Sequence, residues 1–281
     1  MNSGYTKFYI LQTIFMLLLY ACSAAPVREV AIIQIKGSDT MLPLTQLLAE
    51  EYMLRNPGIS IYAEGGGTSA GVKSLIRGEV DICSASRALK TDESKMLADY
   101  YGSLGIFYLI AKDALSVFVN PDNPVNNLTV GQLKSIFTCA ITNWKEVGGI
   151  NAPIQLVNRN SNSGTYSYFK EHVLEGEEYC RSSLVESTTE DVIEQIRENI
   201  NAVGYGGINY GSEIKLLMLD GVRPVEENAR NDKYPITRYL HFFTTKTPSG
   251  AVKKFIDWTL SPEGQKLIKK AGYIPLWQIT T

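Results

Sequence analysis

Apolar residues follow two alternating rhythms along this chain, short dense runs and longer stretches spaced by three or four, and the alternation predicts strands and helices in turn. Residues 30–35 read as a strand. Residues 40–55 read as an amphipathic helix with Leu44, Leu47, Leu48 and Met53 turned inward, closed by the stop signal Asn56-Pro57-Gly58. A strand at 59–63, a helix at 69–77 and a strand at 80–83 follow. Next come a strand at 115–120 ahead of Pro121-Asp122-Asn123-Pro124, and a helix at 130–137 opened by Thr129. A strand at 154–158 leads into a helix near 165–174, and residues 191–198 read as another helix. Val203-Gly204-Tyr205 begins a short strand, 238–243 is a strand, and helices at 250–260 and 262–271 close the chain. This order predicts α/β architecture with mostly parallel sheets. No solenoid-period repeat or low-complexity tract interrupts it.

The opening segment breaks the rhythm. Lys7 precedes an apolar run over 8–19, interrupted only at Gln12 and Thr13, and small residues lead on to Pro26. The run is short for a membrane span and reads as an export signal. Leu19-Tyr20-Ala21-Cys22 also fits a bacterial lipoprotein signal, with residues 1–21 removed and Cys22 lipidated, although Tyr20 is bulky for it. Plain secretion with cleavage near Ala24 or Ala25 is the other reading. The expected location is extracytoplasmic in both cases: lipid-anchored to the outer face of the membrane, or periplasmic.

Charge and cysteines narrow the picture. Removing residues 1–21 takes away Lys7 and moves the formal charge from −2 to −3. That balance, without any basic run or aromatic stacking array, argues against nucleic acid as a partner. The remaining ~255 residues suffice for one large domain or two lobes. With Cys22 lipidated, Cys83, Cys139 and Cys180 remain, so at most one bridge forms. Cys139–Cys180 is one pairing open to them, Cys83 reads as a small core residue, and no spacing fits zinc.

Three turns carry the candidate chemistry. They are Gly37-Ser38-Asp39-Thr40-Met41, Gly65-Gly66-Gly67-Thr68-Ser69 and Arg159-Asn160-Ser161-Asn162-Ser163-Gly164-Thr165, each at an expected helix start. Helix starts offer unpaired N–H groups and the positive end of the dipole, and hydroxyls and an arginine add donors. Any one of them is an ordinary cap. Three together suggest a pocket for a small oxyanion.

Taken in order, "GSDTM", "GGGTSAGVKSLIRGEVDICSASR", "ITNWKEVGG", "NRNSNSGTYSYF" and "AVGYGGINY" resemble the phosphate-binding proteins of phosphate-specific ABC importers, over about residues 30–281. The resemblance implies an α/β, two-lobed, periplasmic-binding-protein-like (type II) fold with two hinge crossings and the ligand in the interlobe cleft. It places lobe one at 27–112 and 222–281 and lobe two at 113–221. The ligand implied is inorganic phosphate, with no cofactor or metal, the partner an ABC permease, and the working form a monomer. Carried over residue by residue, Thr40 and Met41 contribute hydroxyl and backbone donors, with Ser38 beside them. Thr68 stands for a family serine and Ser69 follows it. Arg159, Ser163, Gly164 and Thr165 match the family arginine and its Ser-Gly-Thr. Thr40, Thr68 and Arg87 then face Arg159 and Thr165 across the cleft.

One position departs from the family pattern. Where some members carry an aspartate that accepts from the protons of phosphate, this chain reads Ser84-Ala85-Ser86-Arg87-Ala88, with Arg87 at the matching place. Asp39 is the natural substitute acceptor, and Arg87 would add a second positive charge. The alternative makes Asp39 an N-cap paired with Arg87. Two other functions stay open: a binder or sensor of sulfate, molybdate or arsenate, and an exported phosphatase-like enzyme. The enzyme would need a metal cluster or an activated nucleophile. His172 and His241 form no metal pattern, there is no Gly-x-Ser-x-Gly elbow, and the Ser-Gly-Thr turn has no adjacent histidine. Nor does Gly65–Gly71 carry the Gly-Lys-Ser/Thr of a Walker loop. Trp144 and Trp258 read as packing residues.

Overall fold

The computed structural model describes residues 30–211 and 214–279; the expected signal segment and the candidate lipidation site Cys22 lie outside them. The strands are β1 (Ala31–Gly37), β2 (Ile59–Glu64), β3 (Ile82–Ala85), β4 (Ile106–Val119), β5 (Asn127–Leu128), β6 (Gln155–Arg159), β7 (Leu184–Glu186), β8 (Ala202–Gly207), β9 (Lys215–Leu216), β10 (Met218–Leu219) and β11 (Thr237–Thr244). One curled sheet runs β2-β1-β3-β11-β4-β8-β6-β7, with β9 on β4, while β5 and β10 pair apart. The flanks are parallel, as the alternation predicts. The middle is antiparallel: β11 runs against β3 and β4, and β4 against β8.

β4 runs from one half of the core into the other. Over 106–114 it pairs with β11, and over 115–119 with β8. The core divides along it. Ala111 packs with Ile33, Leu44, Leu48, Phe242 and Phe255, whereas Ala114 packs with Val117, Phe137, Trp144, Phe169 and Tyr205. Ala229, Tyr234 and Ile236 also join the second core. Its centre is a stack of rings, with Phe169 and Tyr205 centroids 4.1 Å apart and Phe137 edge-on to Phe169 at 4.9 Å.

Several elements differ from the sequence expectation. Pro43, which has no N–H to donate, sits in the first turn of helix Leu42–Arg55, and a 3-10 turn, Asp39–Met41, precedes that helix. Tyr52 is buried in that helix, while Leu47 and Met53 are only half-buried. Helix Thr91–Tyr101, with Leu97 as its single fully buried residue, was not expected. Nor was the first half of β4, because Lys112 and Asp113 interrupt its apolar run. Both are buried, Lys112 beside Asp232 and Asp113 beside Arg238. Cys139 and Cys180 form a disulfide with Cα atoms 5.3 Å apart. Cys83 is a fully buried thiol, and burial pushes its pKa up.

His241 on β11 gives the first lobe a pH dependence. Its ring lies 5.4 Å from that of Phe243 and 6.1 Å from that of Phe107, and Nδ1 has no partner. Burial, helped by the Arg238 charge, lowers its pKa to about 4. The unfolded chain therefore binds more protons between pH 6.5 and 4, and stability falls as pH falls through that window. We expect His241→Gln to lose roughly 3 kcal/mol less than the unsubstituted protein between pH 7 and 4, measured by urea unfolding. Equal losses would show that another group titrates there.

Candidate functional site

The three turns converge where the lobes meet. The first follows β1, the second precedes helix Thr68–Ile76 after β2, and the third joins β6 to helix Gly164–His172. Thr40 Oγ1 and Thr165 Oγ1 are 2.8 Å apart across the interface. Ser69 N–H donates to Asn162 O at 3.1 Å. Gly67 reaches this approach with φ +91, and a Cβ there would strike Asn162 O. At Gly164 a Cβ would overlap Thr68 Oγ1 and Ser86 Oγ, so only glycine lets the third turn press this close.

Arg159 is the anchor of the arrangement. Its side chain is 1% exposed. Nη1 donates to Thr189 Oγ1 at 2.8 Å, and Nη2 donates to Ser187 O at 2.8 Å and Asp39 Oδ2 at 3.1 Å. Nε is buried without a partner among the protein atoms. Burial lowers the guanidinium pKa and the Asp39 charge opposes that shift, but arginine starts so high that it stays charged. A buried cation with one carboxylate partner and an unused donor is suited to an anion.

Asp39 binds all three turns together. It belongs to the first, its Oδ1 accepts the Gly66 N–H of the second at 2.7 Å, and its Oδ2 meets Arg159 of the third. It is neither an N-cap nor a partner of Arg87: the cap position is Ser38, whose side chain makes no capping bond. Arg87 also departs from expectation. Glu93 holds its Nη1 and Nη2 at 2.7 Å each, and Ala88 O and Ser69 Oγ take further bonds. Glu93 thus takes both terminal nitrogens of Arg87 at 6% and 13% side-chain exposure, and Arg87 Nε is buried without a partner among the described residues.

The remaining candidates divide. Ser163 Oγ caps its helix by accepting Tyr166 N–H at 3.3 Å, which leaves Gly164 and Thr165 with the first-turn N–H groups that no helix bond can meet. Thr68 Oγ1 accepts Ser86 N–H at 3.2 Å, and the two hydroxyls are 3.5 Å apart. Met41 N–H is committed to Ser38 O at 3.1 Å, and its side chain is core. Ser38 is buried beside it.

Sequence reasoning missed three residues. Thr189 holds Arg159. Arg238 and Asp113 form a buried ion pair, and Arg238 Nη1 donates to Thr165 Oγ1 at 3.0 Å. The signal for that pair was two opposite charges set into largely apolar runs, at 113, next to Lys112, and at 238. Alongside lies a groove of about 1170 Å³ whose lining includes Arg87, Tyr166, Tyr168 and Arg238.

Comparison with known proteins decides the family. Residues 23–263 match the PBP superfamily domain. The phosphate-binding protein PstS of Pseudomonas aeruginosa is 32% identical over 263 residues, covering 85% of this chain and 81% of that protein. The phosphate-binding protein PstS of Bacillus subtilis is 34% identical over 248 residues, covering 86% and 80%. The chain belongs to the PstS family of the PBP superfamily. Among solved structures, a protein from Clostridium perfringens with bound phosphate superposes with a TM-score of 0.82 at 33% identity, over 88% of this chain and 100% of that one. An ABC-type phosphate transport receptor from Vibrio cholerae gives 0.72 at 29% identity, over 86% and 99%. PstS-family membership makes the fold type II, with two lobes and an interlobe cleft, and the family is one of transporter substrate-binding proteins.

Proposed function

We propose that this protein captures inorganic phosphate outside the cytoplasm by closing its two lobes and delivers it to an ABC permease. The observation that carries the reading is Arg159: buried, charged, with an unpartnered Nε, and tied by Asp39 to two other donor-rich turns. The PstS relatives and the phosphate-bound Clostridium perfringens structure support the choice of anion.

The ligand shell would draw on both lobes. Thr40 and Thr68 supply hydroxyls from one side; Arg159, Thr165 and the free N–H groups of Gly164 and Thr165 supply the other. An anion entering there replaces the Thr40–Thr165 contact, so capture requires the lobes to part and close again. A ligand that binds the closed form better shifts the population toward it. We place the first crossing in β4 between Ala111 and Ala114 and the return between Ile236 and Leu240, where neighbouring residues change core. Cys22 would carry the lipid anchor, and the protein would work as a monomer.

Selectivity falls to Asp39. Phosphate near neutral pH carries a proton and sulfate carries none, so a carboxylate accepts from the first and repels the second. Its oxygens keep lone pairs beyond those used by Gly66 and Arg159. Asp39→Asn should narrow the phosphate-over-sulfate preference at least about tenfold, as expected for one charged hydrogen bond. Calorimetric titration with phosphate, sulfate, molybdate and arsenate at pH 6 and pH 8 tests both statements. Tight one-to-one phosphate binding without sulfate binding is the expected result. Equal binding of sulfate or molybdate would sink the phosphate reading, and an unchanged preference in Asp39→Asn would remove Asp39 from selectivity.

A further inference from the structure

Arg238 lies outside the three turns, and the reading above gives it no task. We propose that Arg238 is a positioning residue for the anion, acting through the Thr165 hydroxyl; this rests on the phosphate reading. The side chain is buried and stands opposite Asp113 in the β11–β4 register. Nε and Nη2 donate to Asp113 Oδ2 at 3.0 and 2.9 Å. That fork fixes the plane of the guanidinium, and Nη1 is left to reach Thr165 Oγ1 at 3.0 Å and Ser86 O at 3.3 Å. Asp113 is fixed in turn, because its Oδ1 accepts Ile208 N–H at 3.1 Å. One carboxylate, at the point where β4 leaves the first core, thus aims a cation at residues of both lobes.

The chemistry of the contact fixes one role of the Thr165 hydroxyl. A guanidinium has donors only, so Thr165 Oγ1 accepts from Arg238. The hydroxyl's own proton stays available on the side of Thr40 Oγ1, 2.8 Å away, where either threonine can donate. An anion taking the place of that contact can only accept, so Thr165 donates to it while Arg238 holds the other side of Oγ1. A phosphate oxygen needs a donor, and a hydroxyl already oriented and polarised provides one without first losing rotational freedom. Since Asp113 neutralises the charge of Arg238, the effect is short-range orientation rather than net attraction, and the salt dependence of binding should not change with it.

The test is a double-substitution cycle read by titration with inorganic phosphate, alongside urea unfolding. Arg238→Lys keeps the charge opposite Asp113 but cannot fork to it and reach Thr165 at once. It should raise the phosphate Kd about tenfold, with the same salt slope. In the Thr165→Val background the same change should alter Kd by less than about twofold, because the hydroxyl it acts through is gone. A hinge brace with no part in binding would lower unfolding stability and leave Kd unchanged, or change it equally in both backgrounds; either outcome overturns the proposal. Should Arg238→Lys not fold, the neutral pair Asp113→Asn with Arg238→Gln runs through the same cycle with the same expectation. No phosphate binding by the unsubstituted protein would overturn the phosphate reading and this inference together. Binding with equal effects in both backgrounds overturns this inference alone.

Discussion

Replacing Arg159 by glutamine should weaken phosphate binding by at least about a hundredfold, since hydrogen bonds from a charged donor contribute ~1.5–3 kcal/mol each. The figure is a floor, because the substitution removes charge as well as donors from a buried place. It also strands Asp39. With Arg159 gone, the Asp39 carboxylate keeps only the Gly66 N–H, and its unbalanced charge then faces the incoming anion. Arg159→Lys should fall between the two proteins, for it restores charge without the planar fork. Calorimetry on folded protein, with circular dichroism to confirm folding, checks the order: unsubstituted tightest, lysine weaker, glutamine weakest. A glutamine variant within threefold of the unsubstituted protein would show that the anion is held elsewhere.

Breaking the Cys139–Cys180 bridge should cost about 4 kcal/mol of stability, the loop-closure entropy released when residues 41 apart are no longer tied in the unfolded chain. Geometry in the folded state supports the bridge. Cys139 takes φ 64 just beyond helix Val130–Phe137, and Cys180 N–H donates to Phe137 O at 2.8 Å. Both cysteines pack on the second core. Loss of the bridge should therefore loosen that lobe first. Hydrogen exchange on a Cys139→Ala, Cys180→Ala protein should show reduced protection around Phe137, Phe169 and Tyr205 before any change around Ile33, Leu44 and Phe242. A shift in unfolding free energy under about 1 kcal/mol would mean that the bridge adds little to what core packing already supplies.

The sequence and structure agree where a residue's surroundings are set by its near neighbours. Strands β1, β2 and β3, the helices after the second and third turns and the closing helices were all legible, because apolar spacing and capping residues act within a few positions. The three turns were legible for the same reason: glycine, small hydroxyls and a helix start are local signals, and Arg159 stands next to one of them. Reading stopped where a charge is balanced by a distant partner. Lys112 and Asp113 look like the end of a strand, because an unpaired charge is costly to bury. They lie inside β4 because Asp232 and Arg238 come to meet them. Arg87 looked like a ligand for the same reason in reverse, since nothing in its immediate sequence says that Glu93 takes it by both nitrogens.

By itself, then, the sequence determined the alternating α/β architecture, the three donor-rich turns and the family. Each of these follows from local chemistry, repeated in the right order. Only the tertiary structure decided which charges are spoken for. Asp39 lies 120 residues from Arg159, and Asp113 lies 125 from Arg238. Coulomb energy depends on distance in space and on the absence of water, and both are set by how the sheet curls and how the lobes meet.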